Sequence, residues 1–408
     1  VGVLRLIVQK FGGSSLTTHE MRLKAVDHIR AAGNEGYSPL VVVSAMGRQG
    51  DPFATDTLLK VLYDISPTPP LRELDLLISC GEIISATVMV TELADSGVKA
   101  VALTGAQAGI ITDGNYGYAE ILRIKKERIL RLAADGQVVV IAGFQGASKD
   151  GEINTLGRGG SDTTAVAVGA ALEAEMVEIY SDVDSVMTAD PRIVPEARPI
   201  RNLGYQEILQ LAREGAKVIH PRAVDIAQQF NLPILLKRTG DPTGGTLVSH
   251  KKGQDEHGFI ARERVVNGIT HVAGLAQVRL QEPRTDSRDL EALLTILAER
   301  GVSIDLISFS PQERLFTVPS GDAQRVSAII SELGYKGQVR TGFAKVTVVG
   351  TGMRGIPGVM ARIVCALNQA GTSIMQTADS HLNISCLVPE KDVSNAVKAL
   401  HMEFGLGE

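Results

Sequence analysis

Cysteine is scarce in this chain of 408 residues: only Cys80, Cys365 and Cys386 occur, far apart and without a Cys-x-x-Cys pair. Neither a disulfide framework nor a zinc site is indicated, and a reducing cytoplasm fits. Long apolar runs are lacking as well. Stretches such as AVAVGAAL from Ala165 fall well short of the roughly 20 residues that a bilayer span needs, so no membrane helix is predicted. The first residues, VGVLRLIVQKFGG, pass from a short strand-like run straight into glycines, with none of the layout of an export signal. No block of like charge appears. With 41 Lys and Arg against 46 Asp and Glu the net charge is −5, which argues against nucleic acid or an anionic membrane as partner and favours small molecules. Disorder and collagen are excluded by 44% apolar residues and 21% charged ones.

Three common enzyme signatures are missing: GxxxxGK followed by Ser or Thr, HExxH and GxSxG. Of the eight histidines only His220, in GAKVIHPRA, lies near a glycine-rich segment, and a lone histidine at a helix start is given no catalytic role.

At roughly 150 residues per domain, the length gives about 2.7 domains. Apolar, β-branched runs recur at 4–9, 40–44, 99–103, 138–142, 176–180 and 233–237. Segments with helical spacing lie between them, for example 71–93 and 119–132. Residues 1–240 therefore read as one α/β domain whose mostly parallel sheet is covered by helices on both faces. Asp241 to Gly258, DPTGGTLVSHKKGQDEHG, lacks periodicity and reads as a linker, bounded at 241–265. Beyond it the chain repeats at an offset of 70, pairing Val278 with Val348, Gly301 with Gly371, Ser310 with Ser380 and Pro319 with Pro389. Each copy, 266–342 and 343–408, has the βαββαβ order of a ferredoxin-like fold. Such a unit covers one sheet face only, so pairing within or between chains is expected.

The segments after the strands carry the chemistry. KFGGSS, SAMG, TGAQAG, GFQG and SDVDSV follow successive strands, where an open α/β sheet binds its ligands. GRGGSD, Gly157 to Asp162, precedes a helix, and its glycines let the backbone amides of Gly159, Gly160 and Ser161 approach an anion. Lys10 at the end of the first strand and Lys217 in GAKVIHP are candidate phosphate-binding cations. Glu82, in SCGE, suits a substrate ammonium or a buried ion pair. Thr55 and Asp56 read as a helix start with a first-turn acid. Asp182, Asp184 and Asp190 resemble metal ligands but lack the spacing of a calcium loop, and a role in turns is an equal reading. GTGMRG, Gly350 to Gly355, matches a dinucleotide fingerprint, with Asp379 at a suitable distance. Too little chain follows it for a doubly wound domain, and the repeat claims the segment for its second copy.

VQKFGGSSL, SCGE, TGAQAG, GRGGSDTTA, YSDVDSVMTADPR and GAKVIHPRA, in this order, resemble the aspartate kinases of the amino acid kinase family over nearly the whole chain. The resemblance implies an amino acid kinase domain followed by two ACT domains, and ATP-dependent phosphorylation of L-aspartate to 4-phospho-L-aspartate with Mg2+. By position, it implies that Lys10 stabilises the transferring phosphoryl group and that Asp162 organises the charges around it. Arg158 and Glu82 would hold the α-carboxylate and α-ammonium, with Thr55, Asp56, Gly159, Gly160 and Ser161 nearby. Lys10, Phe11, Gly12, Gly13, Ser44, Ser181, Asp182, Met187, Arg192 and Lys217 would bind ATP. Met187 stands where relatives often have Tyr, and the GRQGDPFATD loop is longer than in many of them.

SFSPQERLFTV and QTADSHLNISCLV look like the diaminopimelate-sensitive aspartokinase I group, with Asp379 and Ser380 in the effector site. Lysine or threonine are the other candidate effectors. The resemblance further implies the first step toward diaminopimelate, lysine, threonine and methionine, and a homo-oligomer formed through the ACT domains. Three alternatives stay open at this point: a glutamate or other acid kinase of the same fold, a non-catalytic amino-acid sensor, and a dehydrogenase.

Overall fold

A computed structural model describes residues 4–216, 218–241, 244–250, 265–281, 287–310, 312–350, 353 and 356–408. The chain forms two compact units: Val1–Val186, Pro199–Ala212 and Lys217–Gly258 make the first, and Met187–Arg198, Arg213–Ala216 and Phe259–Glu408 the second.

The first unit is built on strands β1 (Leu6–Phe11), β2 (Ser38–Val43), β3 (Ala100–Leu103), β4 (Val138–Ala142), β5 (Met176–Ser181), β6 (Asn202–Leu203), β7 (Ile234–Arg238) and β8 (Thr246–Val248). Their order is β6-β8-β7-β5-β1-β2-β4-β3. Every pairing is parallel except β7 with β8. The runs LIVQKF and VVVIA are buried along their whole length, as strands covered on both faces must be. Helix α1 (His19–Asn34) starts where the Thr18 hydroxyl accepts the Met21 amide at 3.2 Å. With α3 (Leu71–Asp95) it closes one face over Phe11, Ile29, Val43, Met89, Leu93 and Val140. Helix α4 (Gly160–Ala171) packs on β1, β2 and β5.

Helix α3 is long and apolar enough to cross a membrane by length and composition, which single short runs of sequence did not suggest. Half of its apolar window is buried inside the protein, and it carries two buried carboxyls, Asp75 and Glu82. It reads as a core helix.

Two stretches depart from the sequence reading. Residues 119–132, read as helical, contain a strand at Ile121–Ile124 and a helix only from Glu127–Ala134. Ile121 and Ile124 pair with Ile110–Thr112 in a small four-stranded sheet, so ladder pairing overrides local helical spacing. Within the expected linker, Thr246–Val248 is β8, and the fully buried Thr246 accepts the Val186 amide and donates to the Ile200 carbonyl. Most of the remaining linker, and four residues of GTGMRG, lie outside the described residues.

The second unit has one six-stranded antiparallel sheet. Its strands are β9 (Gly268–Gln281), β10 (Asp305–Phe309), β11 (Glu313–Pro319), β12 (Gly337–Val349), β13 (Gln376–Asp379) and β14 (Asn383–Pro389), in the order β10-β11-β9-β12-β14-β13. Both long strands serve both repeats. Gly268–Val272 pairs with Lys345–Val349 of the second copy, and Gln277–Leu280 pairs with Gly337–Arg340, with register shifts between. The cores follow this exchange: Val278, Leu297, Phe316 and Ile329 form one, while Ile269, Val346, Ile363 and Leu400 form the other. A division at 342/343 therefore cuts β12 in half, because each βαββα run needs a fourth strand and takes it from its neighbour. Ala189 and Val194, from the segment Met187–Arg198, also enter the second core.

The sheet face without helices carries a small apolar cluster of its own. Leu275, Leu306, Phe343 and Leu387 cluster there. Gln376 donates to the carbonyl of Leu306, which joins the two edge strands across that face.

Phe316 is almost fully buried in the first of these cores. Phe316→Ala is expected to cost about 3–5 kcal/mol. Urea titration followed by hydrogen exchange will show the second unit opening earlier while the first is unchanged.

Candidate active site

The first unit contains a cavity of about 510 Å³, whose lining includes Lys10, Ser44, Thr55, Asp56, Glu82 and residues 157–162. It lies past the carboxyl ends of β1, β2 and β4, the expected crevice of a doubly wound sheet. Lys10, one residue before the end of β1, places its Nζ 2.7 Å from Asp162 Oδ1 in the first turn of α4. Both side chains are nearly buried. The His220 amide donates to Asp162 Oδ2 at 3.3 Å, which holds the carboxylate from behind.

Gly159 makes this turn possible. It caps α4 with φ +70°, and a Cβ there would meet the His220 ring at 2.2–2.5 Å. Only glycine fits both the left-handed backbone and the close approach. Of the first-turn amides of α4, that of Gly160 donates to the Gly157 carbonyl at 2.9 Å, and those that follow have no acceptor inside the helix and suit an anion.

Glu82, on α3, accepts the Ala45 amide through Oε1 at 3.0 Å. Its Oε2 is buried without a hydrogen-bond partner. Burial pushes the carboxyl up to about 8, against the opposing pull of the Ala45 amide and Lys10. The empty acceptor matches a ligand that brings its own positive charge. Arg158 is exposed at the rim, and Asp56 lies in the first turn of α2 (Thr55–Tyr63).

Taken together the lining is not basic. Lys10 and Arg158 face Asp56, Asp75 and Asp162, so a polyphosphate needs further positive charge to settle here.

Not every expected residue meets in this cavity. Phe11 points into the core, stacked on Tyr180 at 4.7 Å, and its carbonyl accepts the Ser44 amide at 3.1 Å. The Gly12 amide donates to the Tyr180 carbonyl at 3.1 Å, extending the sheet. Gly13 belongs to a one-turn 3-10 helix just beyond β1. Ser181 ends β5, and Asp182 is exposed and paired with Arg48. Met187 and Arg192 belong to the second unit, where Arg192 pairs with Asp190 at 2.7 Å. Asp184 pairs with Arg238 at 3.1 Å. Among the described residues no group of three or more His, Cys, Asp or Glu forms a metal site. Lys217 lies outside the described residues. Asp379 is exposed at the end of β13, and the Ser380 hydroxyl accepts the amides of Leu382 and Asn383 in the following turn.

Two lining residues escaped sequence reasoning. Asp75 is buried on α3 and accepts the Gly117 amide, the Thr155 amide and the Thr155 hydroxyl at 2.7–2.9 Å, tying a loop and the end of the strand Ile153–Thr155 to the helix. Its only signal was a carboxyl two helical turns before Glu82. Phe144 takes φ +67°, a strained backbone for a bulky residue, held by its amide donating to Thr164 Oγ1 and its carbonyl accepting the Leu156 amide. No sequence pattern announces that.

Residues 5–238 match the model of the amino acid kinase family, and residues 338–402 match an ACT domain model. Aspartokinase 1 of Bacillus subtilis is 45% identical over 99% of this chain and 100% of its own length. The chain belongs to the aspartokinases. An aspartokinase of Geobacillus stearothermophilus is 38% identical over 99% of this chain and 98% of its own. The crystal structure of Escherichia coli aspartokinase III in complex with aspartate and ADP is 25% identical, with a TM-score of 0.79, covering 98% of this chain and 99% of that one. As an aspartokinase the chain is an enzyme, and its reaction is ATP-dependent phosphoryl transfer. The sensor and dehydrogenase readings fall away.

Because burial raises Glu82 from the ordinary 4.5 to about 8, the folded chain keeps a proton that the unfolded chain has lost between those values. This group's contribution to stability is complete below pH 4.5 and declines as pH rises toward 8. Glu82→Gln removes the decline. Thermal melts from pH 5 to 8 should show the variant gaining on the parent as pH rises.

Proposed function

We propose that the Lys10–Asp162 cavity transfers the γ-phosphoryl group of ATP to the side-chain carboxylate of L-aspartate, giving 4-phospho-L-aspartate. The observation that carries this reading is the 2.7 Å ion pair joining the first strand to the glycine turn, in one cavity with Glu82 and Arg158. The E. coli relative crystallised with aspartate and ADP supports it.

The acceptor is ionised at neutral pH, since a free aspartate side chain titrates at about 3.9, so it attacks phosphorus without a general base. That accounts for a site without a catalytic histidine. The Lys10 ammonium, steadied by Asp162, faces the phosphoryl oxygens and offsets charge that shifts during transfer. The Gly159 and Ser161 amides bind phosphate oxygens, the Gly160 amide being committed to the Gly157 carbonyl. Arg158 pairs with the α-carboxylate, and Glu82 takes the α-ammonium. As that cation arrives, the buried carboxyl loses its proton, so aspartate binding releases acid near neutral pH. Thr55 and Asp56 border the same pocket. Mg2+ brought with the nucleotide would supply the positive charge that the lining lacks; Asp162 and Asp56 are the carboxylates of this cavity that would face it. Ser44, Ser181 and Asp182 would serve the nucleotide.

Lys10→Ala should lower kcat at least 100-fold, the scale of removing one preorganised electrostatic contact, with the fold retained by circular dichroism. Arg158→Ala should raise KM for aspartate about tenfold or more, with a smaller change in kcat. A coupled ATP assay reads both. Full activity of Lys10→Ala overturns the assignment, and turnover of glutamate in place of aspartate overturns the acceptor.

The reaction opens the route to diaminopimelate, lysine, threonine and methionine, with feedback through the ACT domains, which also pair copies of the chain. We assign meso-diaminopimelate as effector, at Asp379 and the turn backbone. Ser380 contributes less than its position suggests, because its hydroxyl is committed to the turn; Ser310, its repeat mate, accepts the Glu313 amide in the matching turn at 3.1 Å. Inhibition assays with meso-diaminopimelate, lysine and threonine should show the first acting alone. Inhibition by lysine alone refutes the assignment.

A further inference from the structure

Two short segments of the first unit meet beside the cavity. Residues 117–119 form a loop, and residues 156–158 lead from the strand Ile153–Thr155 into the glycine turn of α4. The Ala119 amide donates to the Thr155 carbonyl at 2.8 Å, but the other backbone groups of the two segments also need partners. Asp75 takes amides: it accepts those of Gly117 and Thr155 at 2.9 Å each. The carbonyls go to Arg222. Its Nη1 donates to the Leu156 carbonyl at 2.9 Å and its Nη2 to the Ala119 carbonyl at 3.2 Å. A carboxylate on one helix and a guanidinium on another thus share the backbone of both segments, the anion collecting N–H groups and the cation C=O groups.

Arg222 stands in an unfavourable place for a cation. It is the second residue of the helix Pro221–Phe230, where positive charge opposes the helix dipole. Among the described residues no carboxylate pairs with it, and its remaining contact is the Tyr118 ring, whose centroid lies 4.7 Å from the guanidinium carbon. Helix stability does not ask for arginine here. A planar fork that reaches two carbonyls at once does. The same Tyr118 ring bears on Gly157, which has φ +73° and where a Cβ would lie 2.6 Å from a ring carbon. Leu156 is therefore held through its carbonyl and Gly157 through the ring, and the next residue is Arg158, an exposed side chain that lines the cavity. Fixing the backbone on which a long side chain stands lowers the ordering that a ligand must impose.

We propose that Arg222 is a positioning residue for the acceptor amino acid: together with Asp75, its guanidinium sets the Leu156–Gly157 backbone and so aims Arg158 at the substrate's α-carboxylate. This deepens the reading given above, in which Arg158 binds that carboxylate, and rests on it.

The test is a double-mutant cycle in the full-length enzyme, read by a coupled ATP assay and by hydrogen exchange of the peptide spanning 153–160. Arg222→Met should raise KM for aspartate about fivefold, with kcat and KM for ATP within about twofold, and the peptide should exchange faster. Because Arg222 acts through Arg158, the pair Arg158→Ala and Arg222→Met should have the KM of Arg158→Ala alone. Arg222→Lys keeps the charge beside Tyr118 but cannot fork between two carbonyls, so it should retain most of the loss. It replaces Arg222→Met throughout the cycle if that variant does not fold. Val224→Ala, buried on the same helix, should lower the melting temperature and leave KM and exchange unchanged. Multiplying KM effects in the double variant, a parent-like KM in Arg222→Lys, or parent-like exchange in the Arg222 variants overturns the proposal, and so does an equal KM rise in Val224→Ala. Should Arg158→Ala itself leave KM for aspartate unchanged, the functional reading fails instead, and the exchange comparison, which needs no substrate, still judges the clamp.

Discussion

One ion pair organises the catalytic unit. Lys10 sits on the central strand and Asp162 on the first turn of α4, and their contact draws the glycine turn, the strand end and His220 to a single point. Pairs so nearly buried return in attraction about what they lose in hydration. The pair is therefore better understood as a choice of geometry than as a source of stability. It keeps the Lys10 ammonium in a fixed direction. The surroundings serve the same end: Asp75 fastens a loop and a strand end to α3, and Phe144 is held in a strained backbone by Thr164 and Leu156.

Much of this was legible in the sequence, for definite reasons. Buried strands write themselves as apolar runs, and the turns after them must supply glycine where ligands and helix starts converge. Lys10, Glu82, Arg158 and Asp162 could be singled out because each interrupts such a pattern with charge. What stayed hidden depends on partners distant in sequence. Asp75 looks like any helix carboxyl until Gly117 and Thr155 fold onto it. The strand at Ile121–Ile124 needs Ile110–Thr112 beside it. Phe11 belongs to a recognisable signature, yet only the stack on Tyr180 shows that its ring is core material.

The repeat teaches a related lesson. Identities at an offset of 70 mark positions where both halves solve one local problem. Gly301 and Gly371 both adopt positive φ, and Ser310 and Ser380 both cap the turn of a hairpin. Such identities report backbone chemistry first and ligand recognition only afterwards. Where the halves differ they divide labour: the charged cluster of Asp305, Lys345 and Glu214 has no counterpart at the offset.

The exchange of strands between the halves also bears on how such a pair can change over generations. Each half completes its sheet with a piece of its neighbour's longest strand, so neither half is a portable module. Deleting one strips a strand from the survivor, and grafting in a foreign copy must reproduce two registers at once. Inheritance is then all or nothing: the two halves drift, duplicate and transfer as an indivisible couple, although their shared ancestry is still written in the serines and glycines of their turns.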